Sequence, residues 1–224
     1  MRPTPPRTLF RQWKRLLSAC AAIYILTVPV ITSIALYTLS DIIHQLPSLD
    51  PINQLTGNSA STIVDSQGNI MRIWGDEQRT PIDMNHIPAN LARAIISTED
   101  KTFWTNDGID INGIIRAAIW DKTHPHQRPK GASTITQQLI KNTITGNQPT
   151  IRRKINEAIL AIKLTKEWPK KRILTAYMNS VYLGERFYGV EAAAQGYFHV
   201  HANDLDLAQS ATIAGIFKAP DNYN

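Results

Sequence analysis

Residues 16–39 carry no charged side chain, and an uncharged run of that length leaves few folds open to a chain. As a helix rising about 1.5 Å per residue it would extend about 36 Å, enough to cross a bilayer with some tilt. Pro29 lies inside the run. A kink is expected there rather than a break, because membrane helices re-satisfy the carbonyl that a proline frees. Arg2, Arg7, Arg11, Lys14 and Arg15 precede the run with no acidic residue among them. The positive-inside bias therefore predicts a cytoplasmic tail over residues 1–15, a transmembrane anchor over 16–39 and everything later on the far side. The rival reading, a cleaved signal peptide, fits poorly: its apolar core is only about 7–15 residues, and no small-x-small cleavage site follows here.

Charge outside the tail is nearly balanced. Taking those five cations from the chain's 24 leaves 19 Lys and Arg against 18 Asp and Glu, so the basic character gives no indication of nucleic acid. Cys20, the single cysteine, falls within the apolar run, and no intrachain disulfide can support the exported part. The roughly 185 residues beyond the run are enough to bury one core unaided.

Local patterns divide this exported part. Residues 40–59 read as a polar juxtamembrane linker with Pro47, Pro51 and Gly57. STIVDSQGNIMRIW, from Ser61 to Trp74, alternates apolar and polar residues around a Ser66–Asn69 turn and predicts a β-hairpin. A helix follows, with Pro88 suited to its first position and Leu91, Ile95 and Ile96 on its apolar face; Glu99 falls at its end. A second helix is predicted over Ile111–Trp120, and WDKTHPHQRPKG after it has no period and reads as a mobile loop. Thr134 and Gln137 have the spacing of a capping box. Thr150 can cap the next helix, whose Ile151, Ile155, Ile159 and Ile162 form an i, i+4 ridge. Pro169 permits another start, with Ile173, Leu174, Tyr177 and Met178 facing inward. Helical segments over Glu191–Gly196 and Leu205–Phe217 end a mainly α-helical chain.

Between Arg128 and Arg172 eleven lysines and arginines face only Glu157 and Glu167, a belt that favours anionic head groups or diphosphates beside a membrane. Within it, Thr134, Gln138 and Lys141 lie within about 60° of one another on a helix, a hydrogen-bonding stripe apart from Ile135 and Leu139. A solvated surface helix shows such a stripe too, and Thr134 alone is equally a cap. Arg153 and Glu157 stand at i, i+4, the spacing of a surface ion pair worth a few tenths of a kcal/mol. Glu99 and Asp100 close a helix where its dipole disfavours negative charge, a setting that suits a proton acceptor, although solvated acidic pairs are common at helix ends. Phe103, one turn on, could supply an apolar wall. His124 and His126 have no carboxylate or cysteine at ligand spacing.

Five strings, EDKTFWTNDGID, GASTITQQLIKN, RRKINEAILA, RILTAYMNSVYLG and YGVEAAA, occur in the order and approximate spacing of the five motifs of the peptidoglycan glycosyltransferases. From about residue 60 to its end the chain resembles this family, glycosyltransferase family 51, which includes monofunctional enzymes and the N-terminal parts of class A penicillin-binding proteins. The resemblance implies a lysozyme-like helical domain, led in by the hairpin, that polymerises lipid II at the outer face of the inner membrane. Glu99 then matches the general base, which deprotonates the acceptor's 4-hydroxyl, and Glu157 matches the second catalytic carboxylate on the donor side. Thr134, Gln138, Lys141, Asn142 and Arg153 match substrate-binding positions of the donor and diphosphate pocket, with Asp100 and Phe103 supporting them. The implied partners are lipid II, the growing lipid-linked glycan, the membrane and other cell-wall synthesis proteins. No cofactor is required, with room for a divalent cation (Mg) at the diphosphate.

Three positions depart from the family pattern. Asn106 stands where His is common, Thr175 where Glu is usual, and the chain stops at KAPDNYN where relatives continue, as a fragment or a shortened protein would. Two other functions stay open: a membrane scaffold that binds lipid-linked precursor without turnover, and a lytic transglycosylase of the same fold.

Overall fold

Helix α1 covers Arg7–His44 and passes through Pro29 without interruption, in a computed structural model that describes residues 7–54, 61–67, 70–74, 78–127 and 131–218. Its portion Cys20–His44 is long and apolar enough to cross a membrane. The hydroxyls of Thr27 and Thr32 donate to the carbonyls of Ile23 and Val28 at 2.8 and 2.9 Å. A hydroxyl satisfied within its own helix needs no water, which suits an apolar surrounding. The chain divides into two compact units, one ending at Leu46 and one beginning at Pro47.

The stretch expected to be a linker is partly helical. Helix α1 runs to His44, and Asp50–Gln54 forms a short helix, α2, whose Ile52 is buried. Pro51 falls in its first turn, where a missing N–H costs nothing. Residues 55–60 lie outside those described. Strand β1, Ser61–Val64, pairs antiparallel with β2, Ile70–Trp74, setting Ser61 opposite Trp74. This is the hairpin the alternation predicts, with turn residues 68 and 69 outside the described set.

Helix α3, Ala89–Glu99, buries Leu91, Ala92, Ile95 and Ile96, and Pro88 is its N-cap residue rather than its first helical one. Helix α4, Ile111–Thr123, starts under the Asp110 carboxylate, which accepts from the Gly113 N–H at 2.8 Å. It outruns the predicted end at Trp120, so the irregular stretch begins only at His124, whose ring stacks on Trp120 at 3.7 Å. Helix α5, Ile135–Ile140, opens on a full capping box: Thr134 accepts from the Gln137 N–H, and the Gln137 side chain accepts from the Thr134 N–H. A π-helical turn, Lys141–Thr145, follows directly. Helix α6, Ile151–Glu167, is capped by Thr150 as expected. Helix α7 spans Lys170–Ser180, α8 Val190–Phe198 and α9 Leu207–Lys218. Two-residue strands β3, Gln78–Arg79, and β4, Phe187–Tyr188, pair in parallel.

Helix α5 packs on both α6 and α7, and α3 packs on α9. Ile135, Leu139, Leu160, Leu164, Ile173 and Leu174 are fully buried between them, each contributing about 1.5–3 kcal/mol. The isoleucine ridge of α6 is not its core face. Ile151 is 82% exposed, whereas Glu157, Leu160, Ala161 and Leu164 point inward. A carboxylate can occupy that inner face because cations meet it there, so a stripe judged by apolar residues alone was displaced around the helix.

Candidate active site

Asp100 fastens the end of α3 to the start of α5. Its 6% exposed carboxylate accepts from the Thr102 N–H and hydroxyl through Oδ1 (3.1 and 2.9 Å) and from the Ile135 N–H through Oδ2 (3.1 Å). The Asn106 amide donates to both oxygens (3.2 and 3.0 Å). Negative charge beside free helix N–H groups makes these bonds charge-assisted. Asn106 also accepts, through Oδ1, from the Gly108 N–H and from Lys170 Nζ, both at 3.0 Å. The Asn106 amide thus both donates and accepts at this position. Lys170 sits 4.9 Å from the Phe103 ring centroid; burial lowers its pKa, opposed by the charges of Asp100 and Asp107.

The loop after Asp100 lies directly on α6. Gly108 has φ +97°, and a Cβ there would stand 2.4 Å from the carbonyl oxygen of Ala161. Only glycine tolerates both the left-handed backbone and that approach. The Gly108 carbonyl in turn accepts from the Thr134 hydroxyl at 2.6 Å.

With α3 and α5 so joined, Gln138 reaches Glu99. The Gln138 Nε2 donates to Glu99 Oε2 at 2.8 Å, while its Oε1 accepts from the Tyr177 hydroxyl at 2.9 Å. Glu99 opens onto two cavities. The larger, about 620 Å³, is lined by Glu99, Gln138, Lys141, Asn142, Gly146 and Asn147 together with Arg79, Ser180, Val181, Tyr182, Tyr188 and Phe217. The smaller, about 410 Å³, lies between Glu99–Thr102, the α4 residues Gly113, Arg116, Ala117 and Trp120 with Asp110, and Gly131–Ser133. The π turn, closed by Gly146 N–H donating to the Lys141 carbonyl at 2.9 Å, gives Lys141, Asn142 and Gly146 places on the larger cavity.

Arg153 and Glu157 form a neighbouring centre. Glu157 is fully buried, paired through Oε1 with Arg153 and with the Thr145 hydroxyl (3.3 Å), and through Oε2 with Lys154 Nζ at 3.1 Å. Arg153 also donates through Nε to the Gln148 carbonyl. This is no surface ion pair: Glu157 is 1% exposed at its side chain and Arg153 17%. Neither residue lines the two cavities around Glu99.

Of the expected site residues, Glu99, Gln138, Lys141 and Asn142 share the larger cavity, and Glu99 and Asp100 share the smaller. Phe103 is 0% exposed, edge-on to Trp104 at 5.0 Å, and lines neither of these cavities. Thr134 is 1% exposed, and its hydroxyl is engaged by the α5 cap and by Gly108. Three participants lacked a sequence signal of their own. Arg79 reaches the larger cavity because β3 lies beside β4, with its guanidinium 4.5 Å from the Tyr188 ring centroid. Lys154 bridges Glu157 and the Ser133 hydroxyl (2.7 Å). Tyr177 reads as core, and only the need of a buried phenol for a partner could have marked it. Among the described residues no three His, Cys, Asp or Glu side chains gather as a metal cluster.

A family model described as "Transglycosylase" matches residues 67–224, which include both cavities' Glu99 and the whole of α5. The chain belongs to the transglycosylase family. The chain is 36% identical to penicillin-binding protein 1A of Rickettsia felis over 207 residues, covering 92% of the chain and 26% of that protein. It is 40% identical to penicillin-binding protein 1A of Neisseria flavescens over 180 residues (80% and 22%). With that of Aquifex aeolicus it shares 40% over 183 residues (82% and 25%). The chain thus spans about a quarter of the length of the curated relatives it matches. The mainly helical fold and the N-terminal apolar helix agree with the family expectation.

Proposed function

We propose that the transglycosylase domain polymerises lipid II into β-1,4-linked glycan, inverting the anomeric carbon and releasing undecaprenyl diphosphate. One observation carries this reading: the Glu99 carboxylate is shared by two cavities, one of which also holds Lys141 and Arg79. A glycosyl transfer between two bulky sugars needs a base that touches the acceptor and a cationic pocket for the departing diphosphate.

In this scheme Glu99 takes the proton of the acceptor's 4-hydroxyl, a poor nucleophile without a positioned base. That oxygen bonds to the donor's anomeric carbon from the face opposite the leaving group, as inversion requires. The bond from the carbon to the diphosphate oxygen breaks, and the diphosphate departs with the electron pair. Because its charge is already near its final value, Lys141 can stabilise it without a general acid. Asn142 and Gln138, which line the same cavity, bind the donor. Arg153, fixed by buried Glu157, adds positive potential from behind the π turn, so Glu157 serves the donor side through Arg153. Asp100, Phe103 and Thr134 act by holding the first and second motifs together. No cofactor enters, and a divalent cation such as Mg would accompany the diphosphate only. The basic tail ahead of the apolar helix supports a cytoplasmic N-terminus with the domain on the outer side of the inner membrane.

The test is labelled lipid II with the membrane-anchored protein. Wild type should yield polymer, and Glu99→Gln none at an unchanged melting temperature. Wild type without product overturns the function, and normal product from Glu99→Gln overturns the base. Lys141→Ala should raise KM for lipid II.

A further inference from the structure

Tyr177 belongs, by its place on α7, to the core. It is 0% exposed, shares the buried face with Ile173, Leu174 and Met178, and its ring tilts against Phe217 at 5.6 Å. Its hydroxyl nevertheless ends on a reactive group. It donates to Gln138 Oε1 at 2.9 Å, and the same carboxamide donates to Glu99 Oε2 at 2.8 Å.

The direction of this chain follows from its ends. A carboxylate only accepts, so the amide nitrogen must face Glu99 and the amide oxygen must face Tyr177, which must therefore donate. Burial, reinforced by the charges of Glu99 and Asp100, raises the pKa of the phenol well above its ordinary value and keeps the donated proton in place.

We propose that Tyr177 is a positioning residue for Glu99: it locks the Gln138 carboxamide from behind, so that Gln138 holds Oε2 and leaves Oε1 for the incoming hydroxyl. The inference rests on the reading of Glu99 as proton acceptor. Without the phenol proton, Gln138 Oε1 loses its partner and the amide is free to turn, presenting its own oxygen to the carboxylate. Two acceptors then face each other, and the fixed approach of Oε1 is lost. In hydrogen-bonded series of this kind each bond also polarises the next, so the far end affects the near one.

Tyr177→Phe removes one oxygen and keeps the ring. Measured on the full membrane-anchored chain with lipid II, kcat should fall roughly ten- to a hundredfold, the cost of a misplaced reacting group, with KM within about twofold of wild type. Gln138→Leu breaks the same series without touching α7 and should lower kcat by a similar factor, with a rise in KM as well because Gln138 also lines the donor cavity. Adding Tyr177→Phe to Gln138→Leu should cost nothing further, because one path carries both effects. Wild-type kcat in Tyr177→Phe, or two losses that multiply in full, overturns the proposal. Hydrogen exchange of the Gln138 side-chain amide, read by 15N NMR, is independent of turnover: it should accelerate in Tyr177→Phe, and unchanged exchange also overturns the proposal. Should wild type make no polymer, the functional reading falls, while the exchange comparison still decides whether Tyr177 holds Gln138.

Discussion

The Thr134 hydroxyl donates to the carbonyl of Gly108 at 2.6 Å, joining the first turn of α5 to the loop that leaves α3. Asp100 ties the same two elements from the other side through the Ile135 N–H. The carboxylate of Glu99 and the amide of Gln138 therefore meet across a junction held by buried polar bonds. Such bonds are costly to leave half-made, and so they fix the geometry sharply.

Gly108→Ala should damage this junction directly. The new Cβ would need φ +97° and would stand 2.4 Å from the Ala161 backbone. Strain and overlap of that kind cost more than about 2 kcal/mol. Chemical denaturation should show a lower midpoint with an unchanged slope, and glycosyl transfer should fall with it; a midpoint equal to wild type would show that the loop can lift off α6 at no cost.

Asp100→Asn tests the bonds rather than the backbone. An amide has one acceptor oxygen where the carboxylate has two, so at least one of the donors from Ile135, Thr102 and Asn106 loses its partner. The expected loss is about 1–3 kcal/mol for a stranded buried group. Thermal unfolding of the variant checks it.

Glu157→Gln leaves Arg153 and Lys154 without their counter-charge. Breaking a buried pair costs about 3–5 kcal/mol, and the half-exposed Lys154 brings the expectation down to about 2 kcal/mol. Activity should decline with stability, since Glu157 lines neither cavity. A variant with wild-type melting but no turnover would instead place Glu157 in the chemistry.

His201 should make stability depend on pH. Its Nδ1 lies 2.7 Å from buried Glu191 Oε1, and this hydrogen bond, then the charge of Glu191, raises the imidazole's pKa above its ordinary value, aided by Asp204. A group whose pKa rises on folding stabilises fully below its unfolded value, about 6.5 for histidine, and loses that contribution as pH climbs through the folded value. His201→Gln should therefore lower the melting temperature more at pH 5.5 than at pH 8.5 (about one unit below and two above that unfolded value). Equal shifts at both would remove the charged pair from the account.

Much of the architecture was legible along the chain because its cause is local. Alternation around Ser66–Asn69 made the hairpin, Thr134 and Gln137 made the capping box, and the inward face of α7 followed from Ile173, Leu174, Tyr177 and Met178. Where local cause ran out, the readings slipped. The isoleucine ridge of α6 does not mark its core face, because a buried carboxylate cannot be foreseen without its cations. The burial of Phe103 and Thr134 was not legible either, because motif membership does not say which side of a helix is sealed.

The order of residues by itself determined an apolar helix able to span a membrane, a largely helical domain after it, and which carboxylates and cations the family motifs single out. Only the folded chain decided that Gln138 stands between Glu99 and Tyr177, each 39 positions away in sequence, and that Glu157 is enclosed by Arg153 and Lys154. The reason is one of range: caps, periods and turns act over a few residues, whereas a hydrogen bond between distant segments exists only after packing has already brought them together.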